Sequence, residues 1–119
     1  MRIDKFEDLI AWQKAQDLAV EVYTSFEKVR DWGFKDQIQR ASVSVSNNIS
    51  EGFGRKGIAD YLKFLYIAYA SCNEVKSMVY LALRLKHITT DKQTRLLYMC
   101  NKEGKIINGL IASLEKLRL

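Results

Sequence analysis

Gly52, Gly54 and Gly57 spell G-x-G-x-x-G within "ISEGFGRKG", and Arg55 and Lys56 stand inside the run. In nucleotide-binding folds that spacing lets backbone approach a pyrophosphate, and the two cations would add charge at the same place. Other chemistry-bearing residues are sparse. Cys72 and Cys100 lie in helix-period runs with no C-x-x-C and no histidine beside them, which suits buried thiols in a reducing compartment better than a disulfide or a metal site. Glu51 and Glu74 offer two carboxylates for acid–base work or a hard cation, but nearby arginine makes ion pairing the simpler reading. The sole histidine, His87, is far along the chain from any serine or cysteine it could activate, and it falls near a helix C-terminus, where it would cap. No catalytic residue, cofactor or metal site is expected, and the chain reads as non-enzymatic.

The glycine motif works only between a strand and the helix that follows it, so the decision rests on the residues upstream. In "ASVSVSNNI" the apolar residues Ala41, Val43, Val45 and Ile49 fall on odd positions, the alternation of a half-buried strand. A lone strand would leave its backbone groups without partners, and no other segment reads as a strand. The same residues carry a second period. Ile38, Ala41, Val45, Ile49 and Gly52 share one helical face, and Arg40, Ser44, Asn47 or Asn48, Glu51 and Arg55 lie on a polar face beside it. The reading is therefore a helix over 35–52, despite the weak propensity of its serines and valines. Its small residues would admit a close neighbour, and the three glycines become a C-cap and a connection.

Three more helices follow from periodicity. Leu9, Trp12, Ala15, Ala19, Val22, Tyr23, Phe26 and Val29 trace one face of a first helix, with Asp4 and Glu7 placed to cap its start. The segment "RDWGFK" is expected to turn at Gly33. Over 58–87, one stripe runs Ile58, Leu62, Leu65, Tyr69, Cys72, Val79 and Leu83, with Tyr61, Phe64, Ala68, Val75, Met78 and Leu85 beside it. Within it "FLYIAY" is apolar nearly all round, which hints at self-association or at a wide intrachain stripe. Thr90 and Gln93 match a capping box opening a fourth helix, whose inner face is Leu97, Cys100, Gly104, Ile107, Ile111 and Leu114. The expectation is a single all-α domain over 1–119, an antiparallel up-and-down four-helix bundle.

The chain has 119 residues, no proline and a net charge of +5. Residues 1–51 carry 7 basic and 9 acidic groups, whereas residues 52–119 carry 12 and 5. A basic half suggests an anionic partner, of which nucleic acid is the commonest, although many proteins of similar pI bind none. The acids in "MRIDKFEDLIAWQ" interrupt any signal-peptide pattern, and no apolar run reaches the ~20 residues of a membrane span. A cytoplasmic protein without a membrane partner is expected.

"QIQRASVSVSNNISEGFGR" followed by "YLKFLYIAYASCNEVKS" resembles the four-helix-bundle proteins encoded in intervening sequences of bacterial 23S ribosomal RNA genes. Their pattern is approximately Q-x-x-R-A-x-x-S-I-x-x-N-I-A-E-G-x-x-R, then i-A-x-G-S-x-x-E. Gln37, Arg40, Ala41, Ser44, Asn48, Ile49, Glu51, Gly52 and Arg55 match the first part, and Ala68, Ser71 and Glu74 the second. Val45 replaces isoleucine, Ser46 stands where proline is frequent, Ser50 replaces alanine and Ala70 replaces glycine. The resemblance implies a ring-like homo-oligomer, a pentamer. A similar bundle, the accessory variability protein of diversity-generating retroelements, binds nucleic acid through a basic surface.

Two functions remain open at this stage. One is a homo-oligomer that binds RNA or DNA backbone, with Arg55, Lys56 and Lys63 as first phosphate contacts and Lys102 and Lys105 as further ones. The alternative is a protein–protein interaction scaffold that uses the aromatics of helix three and the Trp32–Phe34 turn. The family-motif residues Gln37, Arg40, Ser44, Asn48, Glu51, Arg55, Ser71 and Glu74 form a polar network that either holds helices two and three together or contributes arginines to phosphate.

Overall fold

The computed structural model describes residues 2–118. A 3-10 turn at Phe6–Asp8 leads into α1 (Ile10–Phe26), α2 (Trp32–Phe53), α3 (Ile58–Arg84) and α4 (Thr90–Leu117), with no strand among the described residues. Connections of four or five residues leave each helix little choice but to fold back on its predecessor. The result is an up-and-down bundle of 48 × 21 × 21 Å in which each helix packs on two neighbours and the α1–α4 contact is the smallest.

α2 confirms the helical reading of the ambiguous stretch. Ala41 and Ser42, and again Val45 and Ser46, are buried as adjacent pairs, while Val43 is half-buried and Asn47 exposed. A strand would have buried residues 41, 43, 45 and 47 together. Serine hydroxyls that would weaken the helix are occupied within it. Ser42 Oγ donates to Gln39 O (2.8 Å) and Ser50 Oγ to Asn47 O (2.9 Å), one turn back. Ser46 Oγ also accepts from Gln16 Nε2 of α1 at 2.9 Å, which turns a poor helix former into an interhelix contact.

Gly52 is not part of a C-cap. It lies inside α2 facing α3, where an added β-carbon would stand 2.8 Å from Phe64 Cβ and 3.2 Å from the Tyr61 carbonyl oxygen. The expected close approach is therefore made by this residue. Gly54 is the C-cap, in ordinary right-handed geometry (φ −76°), and Gly57 precedes α3.

Several helix ends differ from the expected ones. α2 starts three residues early, at Trp32, because Asp31 caps it by accepting from the Phe34 amide (3.3 Å), so Gly33 belongs to the first turn. Asp4 pairs with Arg2 (3.0 Å) and caps nothing; α1 begins after Leu9 with no side-chain cap. α4 is capped by Thr89, whose hydroxyl accepts from the Lys92 amide (3.2 Å), one residue before the expected box. α3 stops at Arg84 rather than at residue 87. Lys86 turns left-handed there (φ 62°), and the His87 amide donates to Ala82 O and the Lys86 amide to Leu83 O. The His87 ring then crosses to Asp31 Oδ2 (3.0 Å) and meets Phe34 edge-on, joining the end of α3 to the start of α2. That hydrogen bond, with the Phe34 amide, holds the Asp31 carboxyl below its ordinary value.

The core runs through Ala11, Ala15, Leu18, Val22 and Phe26 of α1, rotated slightly from the expected stripe. Leu18 is fully buried, whereas Tyr23 is 46% exposed. On α3 the surplus apolar residues Tyr66, Ile67, Tyr80 and Leu81 face solvent.

Replacing Gly52 by Ala pushes a methyl group into the stem of Phe64. Overpacking of about 1–3 kcal/mol outweighs the ~1 kcal/mol gained in helix propensity. Chemical denaturation should show a net loss of about 1 kcal/mol. Lys86→Gly relieves a left-handed residue worth about 1 kcal/mol and should raise the melting temperature by a few degrees.

Candidate nucleic-acid interface

The residues singled out by sequence fall into three regions. At the end of the bundle where α2 meets α3, Arg55 and Lys56 sit exposed in the connection and Lys63 lies exposed on the second turn of α3. The Arg55 guanidinium lies over the Phe64 ring, 4.6 Å from its centroid, so its direction is set by a side chain of the α2–α3 seam. Below the loop, no side chain caps the α3 N-terminus, and Asp60 places one carboxylate in its first turn. Among the described residues, none of Arg55, Lys56, Lys63, Lys102 and Lys105 forms an ion pair.

Lys102 and Lys105 are elsewhere. Both lie about 20 Å of helix from that end, and they point into different grooves. Lys105 lines a groove of ≈ 270 Å³ between α3 and α4 together with Lys76, Asn73, Asn101 and Asn108. Lys76 was missed by sequence because only the packing of α3 on α4 brings it beside Lys105. Lys102 lines the α1–α4 groove, its ammonium 5.8 Å from the Tyr98 ring.

The polar network forms in part. Ser44 and Ser71 hydroxyls meet across α2 and α3 at 2.9 Å, and Asn48 Nδ2 donates to both the carbonyl (2.8 Å) and the hydroxyl (2.9 Å) of Ser44. One turn and more away, Gln37 Nε2 donates to Glu74 Oε2 at 3.2 Å. The two glutamates are not salted by arginine. Arg40 pairs with Asp36 within α2 (2.8 Å, both exposed), because the i,i+4 carboxylate is nearer than Glu51 or Glu74. Glu51 is exposed and lines a shallow groove with Tyr23, Arg40 and Val43. Arg55 turns to Phe64 instead. Four of the eight motif residues thus bond α2 to α3, and the last arginine reaches the free end.

The family model for the 23S rRNA-intervening sequence protein matches residues 7–109. The chain belongs to that family. A crystal structure of a protein with unknown function from the S23 ribosomal protein family of Bacteroides thetaiotaomicron VPI-5482 superposes with a TM-score of 0.82, covering 86% of this chain and 98% of that one at 22% identity. At that identity the likeness shows the shared four-helix fold. No curated protein matches the chain.

Sequence reading missed one buried ionisable residue altogether. Glu103 lies on the inner face of α4 between Cys100 and Ile107, 1% exposed, and neither carboxyl oxygen has a hydrogen-bond partner. Its spacing from those neighbours is that of a core position, which is the signal a charge census overlooks. Nearby, the Cys72 thiol donates to Cys100 O (3.4 Å); both cysteines are free and buried, as expected, and the Cys100 thiol is pushed up by its sulfur neighbour and by burial. No group of three or more His, Cys, Asp or Glu side chains among the described residues could hold a metal. No described helix is long and apolar enough to cross a membrane.

Burial raises the Glu103 carboxyl from 4.5 to about 9, with smaller pushes from Cys72 of α3 and Asp17 of α1. Between those values the folded chain keeps a proton that the unfolded chain has released, so stability falls as pH rises from about 4.5 to about 9. Glu103→Gln should flatten that slope. At pH near 9, denaturant titration should find the variant more stable than the parent by on the order of a few kcal/mol, with the two converging near pH 5.

Proposed function

We propose that this family member is a non-catalytic, cytoplasmic homo-oligomer, a ring of five, that binds the backbone of RNA or DNA through a basic surface. The observation that carries the reading is the end of the bundle at the α2–α3 connection, where Arg55, Lys56 and Lys63 have no carboxylate partner among the described residues and stand beside an uncapped helix N-terminus. Lys105 with Lys76 offers a second patch on the flank, and Lys102 a third. Each patch is small, so repetition around an oligomer supplies the avidity that one copy lacks. Self-association is supported by Tyr66, Ile67, Tyr80 and Leu81, apolar side chains that stand exposed on the outer side of α3.

Those same side chains, with Trp32 at 66% exposure, favour a second reading as a scaffold for another protein. The two separate cleanly by salt. Backbone binding releases counterions, so fluorescence anisotropy with a structured RNA should show affinity falling at least tenfold between about 50 and 200 mM salt. The Arg55→Ala/Lys56→Ala double variant should lose about tenfold in affinity while light scattering reports an unchanged assembly mass. Unchanged RNA affinity in that variant removes the assignment, and partner capture that survives nuclease and high salt points to the scaffold.

A further inference from the structure

Acidic side chains line the groove between α1 and α4, through Asp17 and Glu21, and the shallow groove beside Glu51. The groove between α3 and α4 has none. Its charges are Lys76 and Lys105, and its amides are Asn73, Asn101 and Asn108. Among the described residues, no side-chain hydrogen bond or ion pair engages any of these five groups. Lys76 is half-buried, so a cation partly withdrawn from water has no carboxylate to balance it. The groove selects an anion.

Charge alone does not account for the amides. Each asparagine presents an N–H donor pair and a carbonyl acceptor, and phosphate oxygens can only accept, so a ligand made of phosphate alone leaves the carbonyls unused. The fitting ligand carries donors as well as negative charge. Asn73 and Asn101 each follow by one residue a member of the Cys72–Cys100 contact, which brings their amides to the groove from opposite helices. Asn101, Lys105 and Asn108 stand at i, i+4 and i+7 on one face of α4, so amide and cation alternate along a single wall. A nucleotide has the matching composition, with an anionic phosphate next to a base edge whose donor and acceptor lie side by side, the pattern an asparagine amide reads. In a duplex the Watson–Crick edges are taken by the partner strand, whereas an unpaired base offers them. The groove's ≈ 270 Å³ lies near the lower bound of small-ligand sites, about 300 Å³, which suits one nucleotide.

We propose that the α3–α4 groove takes an unpaired nucleotide of a single-stranded nucleic acid, its phosphate held by Lys76 and Lys105 and its base edge by Asn73 and Asn101. The inference rests on the reading of the chain as a backbone binder and deepens it. Arg55 and Lys56 supply affinity for any strand, and the groove supplies a preference for unpaired ones.

The test is fluorescence anisotropy on the full chain at one salt concentration with three probes: a short single-stranded oligoribonucleotide without self-complementarity, its duplex, and an abasic strand that keeps every phosphate. Asn73→Ala/Asn101→Ala changes no charge and lies at exposed helix positions. It should weaken the single strand about tenfold and leave the duplex and the abasic strand unchanged. Lys76→Gln/Lys105→Gln should weaken the single strand and the abasic strand alike. In the unmutated chain, the side-chain amide resonances of Asn73 and Asn101 should move when the single strand is added and stay in place with the abasic one, a readout that does not depend on any variant folding. An asparagine variant that spares the single strand or weakens all three probes equally, a lysine variant of undiminished affinity, or stationary amide resonances would each overturn the proposal while leaving binding at the basic end intact. Failure of the parent chain to bind any of the three probes would remove the underlying reading with it.

Discussion

Where α2 crosses α3 there is no room for a β-carbon. Gly52 sits so close to Phe64 Cβ and the Tyr61 backbone that only hydrogen fits, and this one contact fixes the separation of the two helices at the end where they join. From there the seam is held by small polar side chains. Ser44 and Ser71 hydroxyls meet across it, with Asn48 bonding Ser44 from the same helix, and larger residues at 44 or 71 would hold the hydroxyls out of reach.

The basic end is a consequence of that seam. Phe64 both limits Gly52 and carries the Arg55 guanidinium on its face, so the position of the exposed cation is tied to the packing beneath it. At the opposite end, the Asp31–His87 contact and the left-handed Lys86 join the start of α2 to the end of α3. The α2–α3 pair is thus anchored at both ends. α1 packs on α4 less extensively than the other neighbouring helices pack on each other, and the groove beside Glu103 runs between the two.

How far the sequence was legible depends on the kind of signal. The helix over Ala41–Ile49 was readable because Ile38, Ala41, Val45 and Ile49 keep a helical period that no strand partner contests, and each is buried in the bundle. Of the family-motif residues, Ser44 meets Ser71 and Gln37 meets Glu74, whereas Arg40 goes to a nearer carboxylate on its own helix. Helix ends were less legible. Thr89 and Thr90 are equally able to cap, and only the backbone geometry at residue 89 chooses between them. Leu18 lay one position from the stripe read off α1, a rotation that packing decides and periodicity alone does not. Glu103 was hidden for a different reason: charged residues are expected outside, so its place in the 100–103–107 spacing was passed over.

Native-state amide hydrogen exchange on α2 tests the central claim most directly. If the seam with α3 is the structural keystone, the amides of Ala41 to Gly52 should exchange only through global unfolding, with protection equal to the stability measured by denaturation. Exchange of that segment well ahead of global unfolding, with α3 and α4 still protected, would contradict the account.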